Sequence, residues 1–418
     1  MTLDVESIAR RAKAAARELA RAPRELKDEA LRRMAQALRA AAGEALAANA
    51  AEAEAARAGG AGAAFVDRLT LDPRRLESAC RALERVASLP DPVGQTRDYA
   101  VRPNGLRIRR MRVPLGVIAI VYESRPQVTA DAAGLCLKSG NAAILRGGKE
   151  ALRTNARIAR ALQDGAASAG LPPGCVGFLD DPDREAVRRL LALDSLVDLV
   201  IPRGGPELTR AVRRDSAIAV LSHDKGVCHT YVDAASDPRM AEEICFNAKA
   251  ERPGVCNAME TLLVHEGAAA AVLPALAERY RRAGVELRGC PKTLALAPWA
   301  EPASEEDWDA EYLDLILSIR VVASLDEAID HIARHGTGLA EAIVTSDRAA
   351  AERFQREVDA GAVFVNASTR FTDGGEFGMG AEMGISTQKV HARGPVGLVE
   401  LTCEKFLVDG AGQVRDSR

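Results

Sequence analysis

The residue best placed for chemistry is Cys256, which follows a Pro-Gly pair at 253–254 and precedes an apolar run at 261–264. A thiol is a strong nucleophile only when it ionises, and Lys249 and Arg252 are nearby cations that would favour the thiolate. A loop beside a strand also leaves room for a substrate. This setting predicts a nucleophilic Cys256, and the alternative is a small buried hydrophobic residue.

The other cysteines and the histidines lack such a setting. The remaining thiols fall on helix-like patterns or near strands: Cys80, Cys136, Cys245, Cys175, Cys228, Cys290 and Cys403. The sequence has no CxxC pair and no zinc-type Cys/His spacing, so we expect reduced thiols and no metal site. His223, His229 and His335 are interpreted as packing or hydrogen-bonding residues, so no local base for Cys256 is predicted.

Composition narrows the class of protein. The 418 residues suffice for two or three domains. A net charge of −3 and an aromatic content of 4% argue against nucleic-acid binding. No run of about 18 apolar residues predicts a membrane span, and the acidic start of the chain lacks a signal-peptide core. We therefore expect a cytoplasmic protein with no membrane segment and no nucleic-acid partner.

Secondary-structure patterns predict a helical start and two α/β regions. Residues 5–58 predict two helices separated at Pro23, and 106–113 read as a half-buried strand with a basic outer face. From residue 114, predicted strands and helices alternate through 117–121, 127–138, 142–145, 149–169, 176–179, 184–193, 197–201 and 206–214. The alternation returns after residue 226. It predicts a doubly wound nucleotide-binding domain followed by a second α/β domain.

Three predicted strands end in arginine, two of them with paired glycines. Ligands of open α/β sheets bind beyond the carboxyl ends of strands, where glycines let backbone N–H groups approach a phosphate. The candidate cofactor-binding residues are Tyr122, Glu123, Arg146, Gly147, Gly148, Lys149, Pro202, Arg203, Gly204 and Gly205. Arg146 and Lys149 suit a 2′-phosphate and favour NADP. Because no GxGxxG or P-loop motif is present, simple turn glycines are the alternative.

The densest polar loop spans 366–389 and follows a predicted strand at 362–365. An amino-acid substrate needs a cation for its carboxylate and an acid for its ammonium group. Arg370 could bind the carboxylate, and Asp373 or Glu376 the ammonium group. The alternative is a glycine-rich surface loop with no ligand.

Several stretches resemble the gamma-glutamyl phosphate reductase family of the aldehyde dehydrogenase superfamily. They are 113–117 with 122–126, 252–257, 311–314 and 368–378, and the resemblance extends over nearly the whole chain. It implies an aldehyde-dehydrogenase-like α/β fold with three parts. These parts are an NADP-binding Rossmann-type domain at 1–93 and 113–225, a catalytic domain at 226–390, and a small β oligomerisation flap with the C-terminal strand at 94–112 and 391–418.

The resemblance implies NADPH-dependent reduction of L-glutamyl 5-phosphate to L-glutamate 5-semialdehyde and phosphate, in proline biosynthesis. Cys256 would form a thioester, with Asn257 and Ser124 as candidate oxyanion donors. The implied substrate-binding residues are Arg125, Arg370, Asp373 and Glu376, and Arg203 is a further candidate for an anion. The stretch 221–226 lacks the glutamate with which hydrolytic members activate water.

The resemblance also implies partners. A homo-oligomer, either a dimer or a tetramer, would form through the flap, and a glutamate 5-kinase is a candidate partner because it would supply the acyl phosphate. Two alternatives stay open at this point. One is a CoA-acylating or hydrolytic aldehyde dehydrogenase, and the other is a non-catalytic scaffold of the same fold.

Overall fold

The computed structural model describes residues 4–415, which form two compact units. Unit 1 contains 4–222, 379–384 and 396–415, and unit 2 contains 223–378 and 385–395. Both units combine parallel sheets with helices, so the α/β class predicted from the sequence is confirmed. The division differs from the predicted domain limits, because 379–384 belongs to unit 1 and the predicted flap is not a separate unit.

Unit 1 begins with helices that bury stripes rich in alanine and leucine. They are α1 (Val5–Leu19), α2 (Arg24–Ala40), α3 (Ala42–Ala58), α4 (Ala63–Leu69) and α5 (Pro73–Ser88). In α2, Leu31, Met34 and Leu38 are buried at helical spacing, which gives the helix one apolar face. Residues 5–58 form three helices, although two were predicted. The additional break lies at Ala41, whose φ of −84° and ψ of 3° interrupt the helical backbone.

A parallel sheet lies at the centre of unit 1. The elements that follow α5 are β1 (Thr96–Val101), β2 (Arg107–Pro114), β3 (Val117–Tyr122), α6 (Gln127–Lys138), β4 (Ala142–Gly147), α7 (Leu152–Ser168), β5 (Val176–Phe178), α8 (Arg184–Leu191), β6 (Leu199–Arg203) and α9 (Pro206–Asp215). The strands pair in the order β5-β4-β3-β6. β3 and β4 are buried throughout, which accounts for their apolar sequences. Tyr122 pairs with Gly147 and Arg203, so three strands end at one edge.

Unit 2 is built on a larger parallel sheet. Its elements are β7 (Cys228–Val232), α10 (Pro238–Ala250), β8 (Met259–His265), α11 (Glu266–Arg282), β9 (Glu286–Gly289), α12 (Pro291–Leu296), β10 (Glu301–Pro302), β11 (Ile316–Val322), α13 (Leu325–His335), β12 (Ala340–Val344), α14 (Arg348–Glu357), β13 (Ala362–Val365), β14 (Ile385–Ser386) and β15 (Gly394–Pro395). The seven strands pair in the order β10-β9-β11-β8-β7-β12-β13. Adjacent β8 residues face opposite sides. Leu262 joins the apolar cluster with α11, and Leu263 joins the cluster with α13 and α14.

A three-stranded antiparallel sheet completes unit 1. β16 (Thr402–Asp409) pairs with β2, and β2 pairs with β1. The C-terminal strand implied within 391–418 therefore begins at Thr402. Four large apolar side chains of this sheet are exposed: Tyr99, Val101, Phe406 and Val408. Among residues 4–415, no helix is both long enough and apolar enough to cross a membrane.

Candidate active site

Cys256 lies in the loop between α10 and β8, immediately before a strand as predicted. The Asp237 carboxylate caps α10 by accepting a hydrogen bond from the Met240 N–H. The loop closes with a turn in which the Ala258 N–H donates to the Val255 carbonyl at 3.0 Å. Cys256 is half-buried, and a nucleophile needs such partial exposure if a substrate is to reach it.

Six of the other seven cysteines differ from Cys256 in burial. Five are buried: Cys80, Cys136, Cys175, Cys228 and Cys245. Burial raises the pKa of Cys80 and of Cys175 to about 11, which keeps both thiols protonated. Cys403 is exposed on β16.

Cys290 is a second half-buried thiol, which the sequence analysis did not single out. Its Sγ accepts a hydrogen bond from the Val321 N–H at 3.3 Å and lies 3.4 Å from the Thr293 hydroxyl. Burial acts to raise the pKa of Cys290, but these hydrogen bonds together lower it below its ordinary value. The only sequence signal was its position before Pro291, at the start of α12.

Hydrogen bonds tie the Cys256 loop to the segment that follows β13. Nδ2 of Asn257 donates to the Thr372 carbonyl at 2.9 Å, and Oδ1 of Asn257 accepts from Nη1 of Arg370. The Thr369 hydroxyl donates to the Asn257 carbonyl at 2.8 Å. Because both ends of its side-chain amide are engaged, Asn257 tethers the loop through its side chain. A role in oxyanion binding is left to its backbone N–H.

Arg370 lies in the predicted substrate loop, but side chains of unit 2 hold its guanidinium group. Nε donates to a carboxylate oxygen of Glu251 at 2.8 Å, and Nη1 donates to Asn257. The Arg370 side chain is 16% exposed. Arg370 thus positions the Cys256 loop, and a substrate carboxylate would have to share the guanidinium with these two partners.

The two predicted acidic substrate ligands lie further along the same loop. Oδ1 of Asp373 accepts the N–H of Gly375 at 2.7 Å and the N–H of Glu376 at 3.4 Å, which closes a local turn. Both acids are exposed. Their contact with a substrate ammonium group stays a prediction.

Gly226 packs directly against the backbone of Cys256. A Cβ atom at Gly226 would lie 1.9 Å from the Cys256 carbonyl oxygen, so no side chain fits there. The Gly226 N–H donates to Glu311 at 2.8 Å, and burial raises the pKa of Glu311. The resemblance had drawn attention to 311–314 without giving Glu311 a role. Its contact with Gly226 could not be found from spacing, since 85 residues separate the pair.

A buried ion pair links the two elements that flank the Cys256 loop. Nζ of Lys249 lies 2.5 Å from Oε2 of Glu260, and both side chains are fully buried. Burial raises the pKa of Glu260 to about 7 and lowers that of Lys249, and their mutual attraction opposes both changes. Glu260 therefore balances the charge of Lys249, so the prediction that Lys249 activates Cys256 as a nearby cation is not supported. Arg252 is exposed.

In unit 1, Ser124 follows β3 with a φ of 40°, in the left-handed region that disfavours residues with a side chain. Its N–H and its hydroxyl both donate to Oε1 of Glu150 at 2.9 Å. The single hydroxyl proton is therefore already used, which counts against the predicted oxyanion role of Ser124. Arg125, the next residue, is exposed.

Another carboxylate occupies the end of β6. Oε2 of Glu123 accepts the N–H of Gly205 at 2.9 Å, and a Cβ atom at Gly204 would lie 2.4 Å from the same oxygen. These glycines do allow an anion to approach the backbone, as predicted. The anion, however, is a side chain of unit 1. The predicted phosphate contact at this turn would have to compete with Glu123.

The end of β4 offers a better fit to a phosphate. Nη2 of Arg146 donates to the Pro182 carbonyl at 3.0 Å, while Nε is buried with no hydrogen-bond partner among residues 4–415. Burial lowers the pKa of Arg146, an effect that a bound anion would offset. Lys149 is exposed in the turn that follows. An unpaired guanidinium nitrogen beside an exposed lysine fits a phosphate-bearing cofactor.

Several predicted cofactor residues serve the packing of unit 1. The Tyr122 hydroxyl lies 2.7 Å from the Thr129 hydroxyl, and Tyr122 is fully buried, so its side chain belongs to the core. Pro202 is also buried. A Cβ atom at Gly147 would lie 2.1 Å from Nδ2 of Asn155, and one at Gly148 would lie 2.1 Å from Oε1 of Glu150. These glycines make room for side chains of unit 1. Arg203, at the end of β6, is half-buried.

Comparison with known proteins identifies the family. The aldehyde dehydrogenase family model matches residues 2–309 and 306–390. Gamma-glutamyl phosphate reductase of Anaeromyxobacter sp. (strain K) is 54% identical over 419 residues, covering 99% of this chain and 98% of that protein. The enzyme of the same name from Caldanaerobacter subterraneus subsp. tengcongensis is 50% identical over 413 residues, covering 99% and 100%. The chain belongs to the gamma-glutamyl phosphate reductase family.

Solved structures agree with this family and its fold. The crystal structure of gamma-glutamyl phosphate reductase from Thermotoga maritima matches with a TM-score of 0.97 and 46% identity, covering 99% of this chain and 100% of that one. An acetylating aldehyde dehydrogenase from Geobacillus thermoglucosidasius, 20% identical, matches with a TM-score of 0.67 and shares the fold alone. The predicted aldehyde-dehydrogenase-like fold is confirmed. The chain is an oxidoreductase of a family that implies a nicotinamide cofactor.

Proposed function

We propose that this oxidoreductase reduces L-glutamyl 5-phosphate to L-glutamate 5-semialdehyde and phosphate with NADPH, by way of a thioester on Cys256. The observation that carries the proposal is a half-buried cysteine at the head of a strand, in a loop fastened at Asn257, in a chain 50% identical to a curated gamma-glutamyl phosphate reductase. This reaction is the second step of proline biosynthesis.

Cys256 attacks the acyl carbon, and phosphate departs without strong acid assistance because it is a good leaving group. The covalent step divides one difficult displacement into two easier ones. The backbone N–H of Asn257 donates to no acceptor among residues 4–415, which makes it the preferred donor to the oxyanion that forms on the acyl group. The bound nicotinamide supplies a hydride. Collapse of the resulting thiohemiacetal alkoxide breaks the C–S bond, which releases the aldehyde and regenerates the Cys256 thiolate.

We assign cofactor and substrate binding to predicted residues whose side chains are not committed to the core of the protein. Arg146 and Lys149 would hold the 2′-phosphate of NADPH. Arg370, Asp373 and Glu376 would face the amino-acid part of the substrate, and Arg125 and Arg203 are further candidates for its phosphate. If Arg146→Ala leaves the preference for NADPH over NADH unchanged, the assignment of Arg146 is wrong.

A phosphate-dependence assay tests the reaction. Run backwards, a reductase of this type oxidises L-glutamate 5-semialdehyde with NADP⁺ beyond the first turnover only when phosphate is present to accept the acyl group. We expect steady NADPH formation to require phosphate and not coenzyme A. Steady turnover without phosphate would indicate a hydrolytic aldehyde dehydrogenase, and turnover with coenzyme A alone would indicate an acylating one. No turnover under any condition, with NADP⁺ or NAD⁺, would indicate a non-catalytic scaffold.

We also propose that the chain forms a homo-oligomer, a dimer or a tetramer, through the sheet of β1, β2 and β16. Exposed aromatic and aliphatic side chains on that sheet support the proposal. Phe406→Ser should shift the mass measured by light scattering toward that of a single chain. An unchanged mass would remove this surface from the interface. A glutamate 5-kinase is a proposed partner, since its unstable product would be the substrate here.

A further inference from the structure

A second cysteine of unit 2, Cys228, contacts the proposed nucleophile Cys256. Sγ of Cys228, at the start of β7, donates a hydrogen bond to the Cys256 carbonyl at 3.3 Å, although 28 positions separate them in the chain. The two residues also pack in the same apolar cluster, with Leu339, Ala340, Ala362 and Ile385. Neither the sequence analysis nor the proposed reaction gives Cys228 a role.

The backbone allows this meeting because Gly226 lies two residues before Cys228. An added Cβ atom at Gly226 would come within 2.9 Å of the Cys256 Cα atom, so the start of β7 runs against the Cys256 loop with no side chain in between. Ordinary disulfides join Cα atoms about 4.4–6.8 Å apart. Sγ of Cys228 lies 3.3 Å from the Cys256 carbonyl, so the two residues are neighbours, and a disulfide requires side-chain rotation to bring the two sulfur atoms together.

The two thiols differ in accessibility. Cys228 is fully buried, whereas Cys256 is half-buried. Burial is the main cause that raises the pKa of Cys228 well above its ordinary value, with the nearby Glu341 acting in the same direction. A protonated, enclosed thiol reacts poorly with a dissolved oxidant. An oxidant would therefore react with Cys256 first, and Cys228 would react only with the oxidised Cys256 beside it.

We propose that Cys228 is a resolving thiol for Cys256, so that a peroxide converts the nucleophile into a reversible Cys228–Cys256 disulfide. The proposal rests on Cys256 being the reactive thiol of the proposed function. Hydrogen peroxide oxidises the Cys256 thiolate to a sulfenic acid, and the peroxide is reduced to hydroxide. The Cys228 thiol then attacks the Cys256 sulfur, the S–S bond forms, and water leaves with the sulfenic oxygen.

The disulfide protects the nucleophile from permanent loss. Without a resolving thiol, further peroxide takes a sulfenic acid to the sulfinic acid, which a dithiol cannot reduce. With Cys228 beside it, Cys256 is held as a disulfide that two thiol–disulfide exchanges return to the free thiols. The enzyme would stop under oxidation and restart on reduction.

The test treats the purified protein with hydrogen peroxide, blocks free thiols with iodoacetamide and maps the peptides by mass spectrometry before and after dithiothreitol. We expect a linked pair of peptides that contain Cys228 and Cys256, and recovery of most of the starting activity. Cys228→Ala and Cys228→Ser should form the sulfinic acid at Cys256 and recover less than a tenth of their own untreated activity. Cys245→Ala, which removes another buried thiol of unit 2, should behave as the wild type.

Two results would overturn the proposal. One is a wild-type protein whose Cys256 becomes sulfinic acid with no linked peptides, and the other is a Cys228→Ala protein that recovers as fully as the wild type. The linked peptides are detected without any assay of turnover. They would therefore support the thiol pair even if the protein failed to reduce glutamyl phosphate, which separates this proposal from the proposed function.

Discussion

The Cys256 loop of unit 2 and the strand ends of unit 1 use polar side chains in opposite ways. In unit 2, hydrogen bonds of Asn257 and Arg370 hold the loop in place, and Cys256 stays half-buried. In unit 1, the carboxylates of Glu123 and Glu150 accept backbone N–H groups that a phosphate could otherwise approach. The positions of glycines and strand ends in the sequence thus indicate where a group can approach the backbone. Which group binds there is known only from the tertiary contacts.

The largest effect should come from Cys256→Ser. An alcohol ionises far less readily than a thiol, so turnover should fall by about 10³-fold or more, in the range seen when a nucleophile is removed. The rate of glutamyl phosphate reduction measures activity, and a thermal unfolding curve checks that the variant is folded. Cys290→Ser is the matched control at the other half-buried thiol and should keep most of the turnover. A Cys256→Ser protein as active as the control would remove Cys256 from the mechanism.

The same Lys→Met substitution can be made at one buried lysine in each unit, and the losses of folding stability can be compared. Lys249 pairs with Glu260 in unit 2, and Lys138 pairs with Asp28 in unit 1, with both lysine side chains fully buried. Lys249→Met leaves the buried carboxylate of Glu260 without its lysine partner and should lower the free energy of unfolding by about 3 kcal/mol. Lys138→Met should lower it by less, because Asp28 keeps an ion pair with Arg24 at 3.2 Å. Urea denaturation measures this loss.

Only the unit 2 lysine should also affect the nucleophile. Lys249→Met should speed iodoacetamide labelling of Cys256, because loosening of the flanking elements exposes its half-buried thiol. The double change Lys249→Met with Glu260→Leu should recover much of the stability. Lys138→Met should leave the labelling rate unchanged. Equal labelling in the two single variants would mean that the Lys249–Glu260 pair does not position Cys256.

Arg370→Lys separates positioning from substrate binding. Lysine keeps the positive charge but cannot reach Glu251 and Asn257 with a rigid fork of donors. If Arg370 mainly positions the loop, kcat should fall about tenfold with KM for glutamyl phosphate little changed, roughly the loss of one charge-assisted hydrogen bond. A rise in KM at constant kcat would instead assign Arg370 to the substrate carboxylate.

Glu123→Gln probes the competing carboxylate in unit 1. Removal of the negative charge at Gly205 should lower KM for NADPH severalfold if the cofactor phosphates approach that turn, an effect of about 1 kcal/mol. Glu185→Gln, on the exposed first turn of α8, is the control. An unchanged KM in Glu123→Gln would mean that the glycine turn serves packing only.

Lowering the pH should destabilise unit 2 more than unit 1, because all six histidines lie in unit 2. Burial, with the neighbouring His229 and His335 second, lowers the pKa of His331 to about 2. Below pH 6.5 the unfolded chain binds this proton and the folded chain does not, so stability falls as the pH drops from 6.5 toward 2, by up to about 1.4 kcal/mol per pH unit.

Urea unfolding at pH 7 and pH 5 measures this loss. His331→Gln, which cannot ionise, should lose about 2 kcal/mol less than the wild type between the two values. Identical losses would mean that His331 takes up its proton in the folded state.

The sequence could supply what depends on local pattern. Alternating apolar runs located the strands on either side of Cys256, and the Pro-Gly pair located its loop. Long-range partners were beyond reach, because the contacts of Gly226 with Glu311 and of Asn257 with Thr372 join residues that no periodicity connects. Lys249 shows the same limit. Its nearness to Cys256 in sequence suggested an activating charge, but the three-dimensional structure gives it a carboxylate partner.

The most direct test of the account is a single turnover in phosphate-free buffer. The protein is mixed with L-glutamate 5-semialdehyde and NADP⁺, quenched with acid, and digested for mass spectrometry. The account predicts a burst of NADPH equal to the enzyme concentration and a glutamyl thioester on the peptide that carries Cys256, which added phosphate removes. Continued NADPH formation without phosphate, or an acyl group on any other residue, would contradict it.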